Sequence, residues 1–324
     1  MAHAVVIDRY GGPEVLQLKT VVVDQPGPNE VRLQHTRIGV NFHDVYVRSG
    51  LYKTLQLPGI PGIEAAGTVM ECGRDVTRWK VGDRVAYITG SYGVYSSERV
   101  IDGSQLLQVP LGVTDDVAAS ALLRGLTVEM LLRRVHHVAA GHWILVQAAA
   151  GGVGQLLCQW ASHIGATIIG TVADDEQAAV ATAAGCHFTI QFKREDVVQR
   201  VRELTHGRGV AVAYDGVGKD SFSASLDCLD YCGHLVNFGQ ASGGVPPFEV
   251  SRLAARSGSV SRPIIFHYVR EAAQREEMAA NVFRALEEGW LRVRPARTFP
   301  LADAAESHRV IEAKGATVPL VLVP

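Results

Sequence analysis

The stretch Trp143-Ile144-Leu145-Val146-Gln147-Ala148-Ala149-Ala150-Gly151-Gly152-Val153-Gly154-Gln155-Leu156-Leu157-Cys158 sets an apolar run, a tight small-residue turn and a helix in direct succession. The helix carries apolar Val153, Leu156, Leu157 and Trp160. That order suits a phosphate-bearing ligand, because N–H groups at a helix N-terminus project without partners and the helix dipole favours negative charge there. Ala149, Ala150, Gly151 and Gly152 lack the side chains that would hold a diphosphate off the main chain. The spacing Ala149-x-Gly151-x-x-Gly154 is the dinucleotide fingerprint with alanine in the first glycine position. Helix packing also selects small residues, so the context decides. A second apolar strand, Thr167–Val172, follows the helix, and Asp174 stands twenty residues beyond Gly154, where a carboxylate reaches an adenine ribose. The alternative is a strand–helix–strand unit with no ligand.

The elements around this turn change character along the chain. Residues 1 to about 110 hold short β-branched runs (Ala4–Ile7, Val31–His35, Gly67–Met70, Arg84–Ile88) between Gly- and Pro-rich turns, as in an antiparallel or barrel-like fold. From about 115, helices over Asp116–Arg134, Gly152–Ile164, Asp174–Ala184, Val197–Leu204 and Ser221–Leu229 alternate with strands. The strands are Trp143–Gln147, Thr167–Val172, Phe188–Ile190, Val210–Asp215 and His234–Phe238, an alternation that implies a parallel sheet. A helix near Glu271–Glu288, a strand segment Arg292–Phe299, a helix Leu301–Lys314 and a strand Pro319–Val323 complete the pattern. The expected class is α/β, with a nucleotide domain over 121–265 inserted into a β-rich domain formed by 1–120 and 266–324.

At 324 residues the chain exceeds what one core usually serves. Its 31 basic and 33 acidic residues balance to −2, which disfavours nucleic acid or an anionic membrane as the main partner. No apolar run reaches the roughly 18 residues of a membrane span, and the start reads as a strand rather than a signal segment, so a cytoplasmic location is expected. The five cysteines suit a reducing compartment. Cys228 and Cys232, four apart in an expected helix, could in principle share a metal, but no further Cys/His pair of suitable spacing lies near and buried thiols are the expected reading. His136 and His137 are adjacent and so point to different helix faces.

The chain resembles the zinc-independent quinone oxidoreductases, related to zeta-crystallin, of the medium-chain dehydrogenase/reductase superfamily. The likeness rests on Val40-Asn41-Phe42-His43-Asp44-Val45-Tyr46, Arg48-Ser49-Gly50-Leu51-Tyr52, Pro61-Gly62-Ile63-Glu64-Ala65-Ala66-Gly67 and Lys80-Val81-Gly82-Asp83-Arg84-Val85. It continues through Gly125-Leu126-Thr127-Val128, Ala148 to Gly154 and Tyr214-Asp215-Gly216-Val217-Gly218. The resemblance implies a GroES-like catalytic domain, a Rossmann domain, a cleft between them and a homodimer joined at a sheet edge near Gly258–Pro263. It also implies that Asn41, Tyr46 and Tyr52 line the acceptor side, that Thr127 contacts the nicotinamide side, and that the loop from Phe238 through Gly239 to Gly243 covers the nicotinamide. On their own, Asn41 reads equally as a turn residue and the two tyrosines as packing aromatics.

Zinc-containing relatives use a Cys, a Gly-His-Glu segment and a further Cys or acidic ligand. The matching positions here are Asn41 and Gly62-Ile63-Glu64, so thiolate and imidazole ligands are both missing. Hydride transfer without a metal suits quinones, whose oxygen needs hydrogen-bond donors as charge develops. Reduction of an enone or enoyl double bond is the second enzymatic reading, and a non-catalytic cofactor-binding structural or RNA-binding protein is the third. By resemblance the cofactor is NADPH. NADH stands close behind, because Gln177 and Phe192 occupy positions where relatives carry Lys and Tyr, and Asp174 suits a free 2′-hydroxyl. Lys193, Arg194 and Lys314 supply compensating charge.

Overall fold

In the first third of the chain, polar residues alternate with apolar ones and turn residues separate the strands. They give β1 (Ala2–Val6), β2 (Gln17–Val21), β3 (Glu30–Val40), α1 (Phe42–Ser49), β4 (Glu64–Cys72), β5 (Arg84–Ile88), β6 (Glu98–Asp102) and β7 (Leu107–Gln108), followed by α2 (Asp115–Glu129). Next come β8 (Trp143–Val146), α3 (Gly152–Ile164), β9 (Thr167–Val172), α4 (Asp175–Ala183), β10 (Phe188–Gln191) and α5 (Val197–Leu204). They lead to β11 (Val210–Asp215), α6 (Phe222–Asp227), β12 (Leu229–Asn237) and β13 (Ser259–Ser261). The chain closes through α7 (Ile265–Tyr268), α8 (Ala272–Glu287), β14 (Arg297–Pro300), α9 (Ala304–Glu312) and β15 (Leu320–Val323). This computed structural model describes residues 1–313 and 317–324.

Two compact units result: Met1–Arg124 with Val269–Glu287 and Val293–Pro324, and Gly125–Tyr268 with Glu288–Arg292. In the first, a sheet runs β14-β15-β3-β4-β5-β7, with β6 also on β3. The C-terminal β15 lies antiparallel to β3, Leu320 opposite Val40, so the last strand braces the one that leads into α1. Because β3 and β4 are antiparallel, with Ile38 opposite Ala65, the end of β3 arrives beside the start of β4. That register brings Asn41 to Glu64.

In the second unit the order is β10-β9-β8-β11-β12-β13 and every pairing is parallel. All strand carboxyl ends therefore share one edge, and the order reverses between β8 and β11, where open α/β sheets bind ligands. Leu145, Ile169, Val210, Ala213, Phe222, Leu229 and Leu235 fill its core.

Some local expectations change. Cys228 and Cys232 do not share a helix: Cys228 caps the C-terminus of α6 and is buried, whereas Cys232 lies in β12, exposed, with φ 58°. The strand-forming run from Leu229 onward takes pairing with β11 and cuts the helix short. The helix expected to reach Arg134 is α2 plus a π-turn, Met130–Val135, after which His136 is extended. The segment expected over Leu301–Lys314 splits into a 3₁₀ turn, Leu301–Asp303, and α9. Lys314 lies outside the described residues.

Candidate active site

The turn between β8 and α3 is held from below. Ala148 is left-handed, φ 54°, a conformation that costs a non-glycine residue about 1–2 kcal/mol. It is fixed by Ala148 N donating to Thr171 Oγ1 at 3.1 Å and Ala149 N donating to Thr171 O at 3.0 Å. Gly151 N closes the turn onto Ala148 O at 2.9 Å. Gly151 is the N-cap of α3 and no side chain caps the helix, so the first N–H groups of α3 face whatever occupies the turn. At Gly154 a Cβ would stand 2.4 Å from Ala148 O and 2.8 Å from Ala149 O, so only glycine lets α3 start this close to the turn.

A buried polar chain below the turn is not legible as such in the sequence. Asp215 Oδ1 accepts from Val217 N and Gly218 N, each at 2.9 Å, and Ser221 Oγ donates to both carboxylate oxygens at 2.8 Å. Ser225 Oγ donates to Asp215 Oδ2 at 2.9 Å and accepts from Gln147 Nε2 at 3.0 Å. Thr171 Oγ1 donates to Gln147 Oε1 at 2.6 Å. The chain thus joins the ends of β11, β8 and β9. Its sequence signal is a Gln and an Asp, each closing an apolar strand.

Phe238 and Gly239 lie at the same carboxyl edge. Phe238 N donates to Asp215 O at 2.8 Å, and the Phe238 ring stacks against Gly216, where a Cβ would meet it at 2.9 Å. Ser242 ties the loop to the β11 turn by donating from Oγ to Val217 O at 2.9 Å. Beyond β9, Asp174 caps α4 by accepting from Gln177 N at 2.9 Å, and Gln177 Oε1 accepts from Ala173 N at 3.0 Å. Asp175 and Glu176 occupy the first turn of α4, as dipole-complementing carboxylates do. Phe192, Lys193 and Arg194 are exposed, with Arg194 at 3.6 Å from Asp175.

The first unit gathers a second set. Asn41, 6% exposed, N-caps α1 in a capping box with Asp44, whose Oδ2 accepts from Asn41 N at 2.8 Å. Asn41 Nδ2 donates to Glu64 Oε2 at 2.8 Å. Tyr46 and Tyr52 pack with ring centroids 5.0 Å apart, and His43 sits 5.6 Å from Tyr52 and 6.0 Å from Tyr92. Tyr92, which the sequence does not single out, bonds Thr54 and reaches His43 Nε2 at 3.4 Å. Asp44 Oδ2 also accepts from Tyr95 OH at 3.2 Å, Tyr95 OH meets His308 Nε2 at 3.0 Å, and Arg48 pairs bidentately with Glu312 at 2.8 Å.

Burial sets the charge states here. Desolvation pushes Asp44 and Glu64 up to about 7, and lowers His35 and His43 to about 4 and His308 to about 3. In the second unit burial, with three nearby histidines, lowers His136 to about 4. These histidines bind protons in the unfolded chain near 6.5 but not in the fold, so their contribution to stability is lost as pH falls from about 6.5 to 4. The raised carboxyls act in the opposite sense, losing stability as pH rises through about 7. Four groups against two leaves the histidine effect dominant. Tm is therefore expected to fall steadily from about pH 6.5 to about 4.5 in calorimetry; a flat or rising Tm over that range contradicts the burial account.

Comparison with known proteins places this geometry. Residues 27–111 match the family model "Alcohol dehydrogenase GroES-like domain" and 152–284 match "Zinc-binding dehydrogenase". A quinone oxidoreductase of Pseudomonas aeruginosa is 42% identical over 325 residues, covering 100% of both chains. The chain belongs to the quinone oxidoreductases of the medium-chain dehydrogenase/reductase superfamily. A family relative from Escherichia coli, solved as a complex with NADPH, superposes with TM-score 0.97 at 37% identity over 99% of this chain and 100% of that one. A 2-haloacrylate reductase from a Burkholderia species is 40% identical, over 100% of this chain and 99% of that one. The two units are accordingly a GroES-like domain and a Rossmann domain.

In this family member the fold packs Tyr46 against Tyr52 in the GroES-like unit and sets Asn41 at the start of α1, the helix that carries Tyr46. It sets Ala149 through Gly154, Asp174, Gln177, Phe238 and Gly239 at strand carboxyl ends of the Rossmann unit. Thr127 is half-buried on α2, past the point where the helix passes into the Rossmann unit. Among the described residues no three His, Cys, Asp or Glu side chains are grouped to hold a metal ion, and no helix is long and apolar enough to cross a membrane.

Proposed function

We propose that the chain is an NADPH-dependent quinone oxidoreductase. The observation that carries the reading is the uncapped start of α3 behind the Ala148–Gly151 turn, in a chain this similar to a relative solved with NADPH. Ala149 through Gly154 hold the diphosphate by main-chain N–H groups. In this reading the exposed Lys193 and Arg194, just after β10, supply positive charge to the adenine ribose end, and Asp174 and Gln177, at the start of α4, border it. Phe238 and Gly239 border the nicotinamide end. Once bound, the reduced nicotinamide supplies a hydride to the acceptor. Thr127 orients that ring, the Asn41 amide and the Tyr52 hydroxyl donate to the acceptor oxygen as it gains charge, and Tyr46 packs Tyr52 in place. We further place the protein in the cytoplasm as a homodimer; β13, the last strand of its sheet, is the edge that a second copy would extend.

The second reading, reduction of a conjugated carbon–carbon double bond, is favoured by the similarity to 2-haloacrylate reductase. Steady-state rates with NADPH and NADH, each against 1,4-benzoquinone, 9,10-phenanthrenequinone and 2-cyclohexenone, separate the two. The expected result is turnover of both quinones with kcat/KM higher for NADPH. Turnover of the enone alone would replace the quinone assignment with the second reading, and a tenfold preference for NADH would transfer the cofactor role to Asp174 as a 2′-hydroxyl acceptor.

A further inference from the structure

Glu64 opens β4 fully buried, and both of its oxygens are committed: Oε1 accepts from Leu123 N at 2.7 Å and Oε2 from Asn41 Nδ2 at 2.8 Å. Space for the carboxylate exists because residue 39 is glycine. A Cβ there would stand 2.6 Å from Glu64 Oε2 and 2.2 Å from Ala119 O. Arg124, whose guanidinium donates to Val40 O at 3.3 Å, lends the niche positive charge. Burying a carboxylate is expensive unless it is fully hydrogen-bonded, and an apolar residue would fill this volume at lower cost. Once ionised, above about pH 7, the Glu64 carboxylate offers one thing that an apolar or amide side chain does not: it accepts hydrogen bonds at both oxygens and donates none.

That property matters for Asn41. An asparagine amide has a donor end and an acceptor end of nearly the same shape, so only its partners determine which way it faces. An acceptor-only neighbour turns the nitrogen toward β4 and leaves the amide oxygen to the start of α1, where Asn41 and Asp44 form the capping box. Of the two N–H bonds on Nδ2, Glu64 takes one, and no acceptor among the described residues takes the other. We propose that Glu64 is a positioning residue that locks the Asn41 amide with one N–H presented to the acceptor oxygen. The inference rests on the role given to Asn41 above.

The experiment compares Asn41→Ala, Glu64→Gln and the double variant combining Glu64→Gln with Asn41→Asp. It reads Tm, the Kd for NADPH by fluorescence titration, and kcat with 1,4-benzoquinone. In Glu64→Gln the new amide nitrogen faces a donor, Leu123 N or Asn41 Nδ2. Tm and kcat should both fall, kcat by about 100-fold as when one preorganised donor is lost, with Kd for NADPH within about threefold. In the double variant the introduced glutamine still accepts from Leu123 N, and its amide nitrogen donates to the carboxylate introduced at position 41. Tm should return to within a few degrees of the parent (about one hydrogen bond's worth) while kcat stays low, since the side chain at position 41 no longer carries an N–H. Recovery of kcat together with Tm, or a Glu64→Gln variant with kcat within about threefold of the parent, overturns the positioning role. If Asn41→Ala itself leaves kcat unchanged, the role of Asn41 in the proposed function fails instead, and with it the basis for this inference.

Discussion

Gly154→Val should weaken NADPH binding by at least about 100-fold, the loss of two or so charge-assisted hydrogen bonds from main chain to phosphate. The atoms that a Cβ would meet, Ala148 O at 2.4 Å and Ala149 O at 2.8 Å, are both main chain, so no rotamer change relieves the contact. Relief requires α3 to move away from the turn, and the turn cannot follow, because Ala148 and Ala149 are tied to Thr171 and Gly151 N is tied to Ala148 O. The N–H groups of α3 then no longer converge on one point. The variant should keep its far-ultraviolet circular dichroism, since the first unit contributes none of these contacts. Isothermal titration with NADPH decides the matter, and a folded variant whose Kd changes less than about fivefold removes the turn from the binding site.

Asp215→Ala should be the most destabilising single substitution in the Rossmann unit, by about 4 kcal/mol, with Tm lower by about 10 °C. The carboxylate is fully buried and receives Val217 N, Gly218 N, Ser221 Oγ and Ser225 Oγ. Alanine leaves these donors buried without an acceptor, and each such orphan costs about 1–3 kcal/mol, partly recovered where a hydroxyl turns elsewhere. Ser225 also supports Gln147, and through it Thr171 and the nucleotide turn, so the Kd for NADPH should rise as well. Asp215→Asn keeps one acceptor oxygen and should lose roughly half as much. Equal melting temperatures for the alanine variant and the parent would show that water or relaxation satisfies the four donors, and the proposed brace would fall.

Parts of this architecture are readable because their signals are local. The roughly 3.6-residue apolar spacing of Val153, Leu156, Leu157 and Trp160 fixes α3, observed over Gly152–Ile164 as expected. The β-branched run Thr167–Val172 fixes β9 in the same way. Ends governed by competition are not readable. The four-residue spacing of Cys228 and Cys232 suits a helix, yet pairing with β11 draws Leu229–Asn237 into a strand. No window of sequence contains both partners of that choice.

The candidate site divides along the same line. The small residues from Ala148 to Gly154 and the acid at Asp174 point to the proposed nucleotide turn only together with the strands and helix around them, and all of that context is local, because close approach of main chain to a diphosphate constrains residues adjacent in sequence. The network that holds that turn is not local, since Asp215, Ser225, Gln147 and Thr171 meet only when parallel strands end at one edge. Likewise Asn41 could be named as a polar residue after a strand, but the direction of its amide depends on Glu64, brought beside it by antiparallel register. Which residues are present, and the periodicities that make helices and strands, belong to the sequence. Which lone pair faces which N–H belongs to the tertiary structure, because hydrogen-bond satisfaction in a buried space is a property of neighbours that the chain brings together only on folding.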